Sequence, residues 1–232
     1  MLIHLESLRA GAARARGTTI VIDVFRAFTT AAVALARGAR QIVLTAEVEE
    51  ALALRRAGVV DLCMGEVGGA RPDGFDFGNS PDELTSADVV GRTIAQSTRA
   101  GTVGICTVPR GVPIYAASLL TARATALAVR AAAPSDVTIV AMGLEGRERS
   151  DEDELCAMYI RNLLEGRQPD RIAVAALVRA GKEAGKFGDP ARPHFRREDL
   201  EIAVRIDTYD FAVPVSREDG LLVARRSPAV AP

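Results

Sequence analysis

Short apolar, β-branched runs alternate along this chain with helix-patterned segments, and that alternation restricts the fold more than any other feature. Residues 18–24 read as a buried strand. An Ala-rich helix follows over Ala27–Ala36, with Gly38 as its stop. Strands are expected at Gln41–Thr45, 59–64, 92–96, 112–117 and 137–142. Helices are expected at 47–56, 121–132, Asp151–Leu164 and Arg171–Ala180. Late strands are expected at 202–206, 211–215 and Leu221–Ala224. This order predicts an α/β fold whose largely parallel sheet is covered on both faces. Residues 1–226 are expected to form one domain, with 227–232 a frayed tail.

Composition narrows the function. Lys and Arg number 29 against 30 Asp and Glu, a net charge of -1, so no overall field draws in nucleic acid or anionic membrane. Trp is absent and Phe and Tyr total ten, too few for base-stacking platforms. Arg outnumbers Lys 27 to 2 and Ala occurs 40 times, a bias that lowers what any one Arg says about its site. Cys63, Cys106 and Cys156 form no CxxC, so neither disulfides nor a zinc site is indicated. No signal peptide and no spanning helix are expected, which makes the cytoplasm the expected compartment.

Several standard motifs fail. Gly181-Lys182 and Gly185-Lys186 are not followed by Ser or Thr, so there is no P-loop. No G-x-S-x-G elbow occurs, and His4 and His194 lie in polar segments unsuited to a triad. No cysteine has an Arg six residues on, and Asp23-Val24-Phe25 lacks a second Asp.

Carboxylates and anion-binding turns remain. In such folds ligands bind outside the carboxyl ends of strands. Asp23 and Arg26 stand there, where a carboxylate ligates a hard cation and an Arg forks a phosphate. Capping of the next helix would equally explain Asp23. Gly74-Phe75-Asp76-Phe77-Gly78-Asn79-Ser80-Pro81 combines glycines, a metal-capable Asp76 and a helix start. Ser80, Pro81 and Glu83 read as a capping box, so an ordinary capped turn is the plainer account. Glu66 closes one strand. Thr98, Arg99, Gly101 and Thr102 form the turn after another, where hydroxyl caps are the plainer account. Of the four acids 151–154, Glu152 and Asp153 are candidates to turn inward, although dipole-favoured first-turn acids explain most of them. Together these suggest a Mg²⁺ site beside a phosphate cradle.

At four of these segments the sequence resembles the 2-phosphosulfolactate phosphatase family. They are Val21 to Thr30, Gly65-Glu66 with Gly74 to Pro81, the Thr98 to Thr102 turn, and Glu152 to Ala157. The order and spacing agree over nearly the whole chain. The resemblance implies a three-layer α/β/α fold with a mixed sheet. It also implies Mg²⁺-dependent cleavage of 2-phosphosulfolactate to 3-sulfolactate and phosphate, in coenzyme M synthesis. This chain has Val67, Ala100 and Thr121 where the family often has Arg, Asn and Asn.

The expected metal ligands or water activators are Asp23 and Glu66, with Asp76 and Glu152 or Asp153 as further candidates. Asp23 is alternatively a covalent nucleophile. Arg26, the Gly78-Asn79-Ser80 turn and the turn at Thr98, Arg99, Gly101 and Thr102 are expected to hold the substrate's anions. The alternatives are a binding protein for a small phosphorylated or sulfonated acid, without turnover, and a structural subunit. A homodimer is the commonest closed assembly for such a chain.

Overall fold

In the computed structural model, which describes residues 1–228, short apolar runs become the strands of one mixed sheet, with Thr18–Ile22 and Thr93–Ser97 buried along their whole length. Its strands are β1 (Leu2–Ser7), β2 (Thr18–Ile22), β3 (Gln41–Thr45), β4 (Leu62–Gly65), β5 (Thr93–Ser97), β6 (Ile114–Ala117), β7 (Asp136–Ala141), β8 (Phe211–Glu218), β9 (Leu221–Ala224) and β10 (Ser227–Pro228). The helices are α1 (Leu8–Ala13), α2 (Ala27–Ala36), α3 (Val48–Arg56), α4 (Pro81–Thr85), α5 (Gly101–Thr107), α6 (Ala122–Ala131), α7 (Asp151–Leu164), α8 (Arg171–Ala180) and α9 (Arg197–Ala203). Short 3-10 turns cover Leu119–Thr121 and Lys182–Lys186.

The strand order is β1-β7-β2-β6-β8-β9-β3-β5-β4, with β10 paired to β8. Strands β1, β7, β2 and β6 pair parallel, as do β3, β5 and β4. The hairpin β8–β9 pairs antiparallel to both groups. Side chains alternate between the two faces, as a strand period of two demands. Val21, Ile42 and Ile94 enter one core with α2 and α5, whereas Ile20, Ile22 and Ile139 enter another with α6 and α7. Helix α3 covers Val43, Cys63 and Ala95. The result is the three-layer α/β/α architecture.

Helix α2 buries nine of its ten residues, which fits its near-continuous apolar sequence. It starts directly after β2 and packs among strands from both parallel groups. The sheet therefore curls around it. Strands β2 and β5 are five places apart in the sheet, about 24 Å if it were flat. Yet Asp23, after β2, accepts a hydrogen bond from Gly101 N, after β5, at 2.8 Å. Curling thus brings both sets of carboxyl ends to one place.

Three expectations need correction. Residues 202–206 are not a strand: Ile202 and Ala203 end α9, and an apolar run this short has no periodicity to decide its type. The turn expected over 98–102 is confined to 98–100, since Gly101 and Thr102 already belong to α5. Ser227 and Pro228, expected to be frayed, pair with Ala212 and Phe211; residues 229–232 lie outside the described ones.

Candidate active site

The carboxyl ends of β2, β4, β5 and β7 open into a cleft of about 530 Å³. Asp23, Glu66 and Glu152 line it, with Asn79, Arg99 and Ala100. Asp23 is held by two backbone donors: Ala27 N gives to Oδ1 at 3.0 Å and Gly101 N to Oδ2 at 2.8 Å. It therefore caps α2 and also faces the cleft. Gly101 permits the approach, since a Cβ there would stand 2.8 Å from Asp23 Oδ2 and from Ala27 Cβ. Glu66 joins two loops, accepting from Gly69 N at 2.7 Å and Arg99 N at 2.8 Å.

Asp153 accepts from Val24 N at 2.7 Å and Gly143 N at 2.8 Å, which ties the ends of β2 and β7 to α7. It lies behind the cleft wall rather than on it. Glu152, its neighbour, faces the cleft.

Burial is the main cause that pushes the Asp23 carboxyl up to about 6; the charge of Glu66 adds to it, and the Ala27 and Gly101 N–H groups oppose it. Burial also pushes Glu152 up to about 7, helped by Glu183 and opposed by Lys186. Asp153 is raised well above the usual range by burial and by the charges of Glu152 and Asp23. None of Asp23, Glu66, Glu152 and Asp153 is more than 9% exposed, and none forms an ion pair among the described residues. Buried charges are normally paired or coordinate metals.

This donor set fits a hard divalent cation. No three His, Cys, Asp or Glu side chains converge into a ready cage among the described residues. That also suits Mg²⁺, which takes one or two carboxylates and completes its shell with water and substrate phosphate.

Other expected residues act around the cleft. Arg26 lines it but is 2% exposed, and three of its five N–H donors are engaged within the protein. Nη1 gives to Asp199 Oδ2 at 2.7 Å and His194 O at 2.6 Å, and Nη2 gives to Gly69 O at 3.2 Å. Its guanidinium lies 4.6 Å over the Phe195 ring. It is a clamp between three segments rather than a free fork for phosphate. Asn79 keeps a buried Oδ1 without a partner. Ser80 Oγ gives to Asp199 Oδ1 at 2.6 Å, and Gly78 N gives to Glu83 Oε2 at 2.9 Å. Ser80 Oγ accepts from Glu83 N, so the expected capping box is half formed, with the Glu83 carboxylate turned to Gly78 instead. Thr98 and Thr102 cap each other, Thr102 Oγ1 accepting from Thr98 N at 2.8 Å and Thr98 Oγ1 from Thr102 N at 3.2 Å. Asp76 does not line the cleft: its Oδ2 accepts from Arg55 Nη1 and Cys63 N, both at 2.8 Å, which turns it toward α3.

Sequence reasoning missed Asp199, which is fully buried and joins Arg26, Ser80 and Asp82 N. It also missed Lys182, Glu183, Lys186 and His194, which line the cleft from the 182–193 connector and just beyond it. One signal was present: the chain's two lysines both lie there.

The sequence profile of the 2-phosphosulpholactate phosphatase family matches residues 4–219. The chain belongs to this family. It is 31% identical over 204 residues to the "Probable 2-phosphosulfolactate phosphatase" of Bacillus subtilis, covering 87% of each chain. The protein of that name from Thermus thermophilus is 39% identical over 164 residues, 69% of this chain and 68% of its own. The one from Cyanothece sp. is 33% identical over 224 residues, 88% of this chain and 91% of its own. The cleft carboxylates, the Asn79 turn and the Gly101 turn all fall inside the matched span.

Proposed function

We propose that this protein is a Mg²⁺-dependent phosphomonoester hydrolase that converts 2-phosphosulfolactate to 3-sulfolactate and phosphate. The observation that carries the reading is the set of buried, un-ion-paired carboxylates at the strand ends of a family phosphatase fold. Two of Asp23, Glu66 and Glu152 would hold the metal, which when bound would polarise the phosphoryl group and offset the charge that builds in transfer.

The chain's own residues supply the remaining work. Asp23, fixed by Ala27 N and Gly101 N, orients the attacking water and takes its proton. Glu66 ties together the loops that follow the neighbouring strands β4 and β5. Asn79 lines the cleft and keeps a buried Oδ1 without a partner, an acceptor for an O–H of the attacking water. Arg26 acts as a positioning residue, holding the connector over the cleft through His194 O and Asp199.

Asp23→Asn tests the assignment. It keeps an acceptor for one of the two N–H groups, Ala27 N and Gly101 N, and removes the charge, so turnover is expected to fall at least a hundredfold while circular dichroism shows the fold retained. Turnover within threefold of wild type would remove Asp23 from the chemistry.

A further inference from the structure

Five cationic side chains line the cleft: Arg26, Arg99, Lys182, Lys186 and Arg192. Most of them are engaged. Arg26 is committed to Asp199 and to two carbonyls. Arg99 gives to Ala46 O at 3.0 Å and lies 3.5 Å from Glu47. Arg192 stands 3.8 Å from Asp189. Lys186 Nζ meets Glu183 Oε2 at 2.5 Å and sits 4.8 Å over the Phe195 ring, with its side chain 10% exposed. Lys182 is exposed at the rim and has no hydrogen-bonding or ionic partner among the described residues.

The identity of these residues adds weight. Two lysines scattered at random over 29 basic positions would both fall among these five about once in forty (5/29 × 4/28). Composition drives this chain toward Arg, so a Lys kept at both positions points to a requirement for Lys. A lysine is a compact point charge on a flexible stem, suited to a tetrahedral or small planar anion, where Arg favours a fixed fork. The Lys182–Lys186 turn packs against α7, which carries Glu152, and lines the same cleft as Asp23 and Glu66. A phosphoryl group beside Asp23 would leave the rest of a small acid near this turn.

We propose that Lys182 and Lys186 determine substrate specificity by holding the anionic group that is not transferred, a sulfonate or a carboxylate. Lys182 supplies the free charge, and Lys186, set by Glu183 and Phe195, supplies the fixed one. This rests on the phosphatase reading above.

The test is steady-state kinetics of wild type, Lys182→Met, Lys186→Met and Lys186→Arg with Mg²⁺. Three esters are compared: 2-phosphosulfolactate, 2-phospholactate, which lacks the sulfonate, and O-phosphoisethionate, which lacks the carboxylate. Lys182→Met is expected to raise KM at least tenfold for esters carrying the anion it holds, with kcat changed less than threefold. The ester lacking that anion shows the smallest rise, which identifies the group. Lys186→Met is expected to do the same, and Lys186→Arg to recover only a minor part of the loss, since a fixed fork replaces the compact point charge. An unchanged KM for all three esters, or a fall in kcat alone, overturns the proposal. If wild type hydrolyses none of them, the phosphatase reading fails by itself. Calorimetric titration with 3-sulfolactate then decides the lysines: weaker binding by both Met variants supports them, and equal binding overturns them.

Discussion

Asp199→Ala should be the most disruptive single change outside the cleft carboxylates. Asp199 is fully buried and Arg26 is 2% exposed, so this ion pair has no access to solvent. Removing one partner of such a pair typically costs about 3–5 kcal/mol, because the other charge stays buried without compensation. Arg26 would retain His194 O, Gly69 O and the Phe195 face, which argues for the lower half of that range. Ser80 Oγ and Asp82 N would lose their acceptor as well, which raises the cost again. At about 2–4 °C per kcal/mol for a chain of this size, the melting temperature should fall by about 6–20 °C. Thermal unfolding followed by circular dichroism reads this directly. Replacing both partners, as in Arg26→Met with Asp199→Leu, should recover part of the loss, since a buried pair is often no better than apolar packing. A loss below about 1 kcal/mol in Asp199→Ala would refute the argument that the clamp is buried and uncompensated.

Two further predictions concern the cleft. Gly101→Ala puts a Cβ 2.8 Å from Asp23 Oδ2, so it should cut kcat at least tenfold while the protein stays folded; unchanged kcat would mean that this approach is not needed. In EDTA, stability should fall as pH rises from about 4 to 7. Asp23 and Glu152 have folded-state values raised to about 6 and about 7, so between those and their unfolded values the folded state binds the extra protons. The stability they contribute is present at low pH and is lost as pH rises, on the order of 1–3 kcal/mol in urea titrations at pH 5 and 8. Adding Mg²⁺ at pH 8 should restore it; a metal-free protein that grows more stable from pH 5 to 8 would contradict the assignment.

Much of this was legible in the sequence, for identifiable reasons. Helix α2 and strand β3 fall on the expected residues because their patterns are long or strongly β-branched and are bounded by glycine or by charge. Helix α5 was hidden: Gly101, Thr102, Gly104 and Thr107 are weak helix formers. Packing decides there, since Gly104 lies against Met142 so closely that any Cβ would collide with it. Asp23, Glu66 and Glu152 were legible because strand ends and helix starts are where a parallel sheet places its chemistry. Asp199 was not, because it acts on Arg26 from 173 residues away, through a segment whose apolar run resembled a strand. The direction of a side chain was equally hidden: nothing local tells that Asp76 turns to Arg55 or that Asp153 serves Val24 and Gly143.

The most direct test of the account is phosphate release from 2-phosphosulfolactate by the purified protein, with Mg²⁺ and with EDTA. The account predicts catalytic release that EDTA abolishes and added Mg²⁺ restores. Release untouched by EDTA, or none from folded protein with Mg²⁺ present, would contradict it.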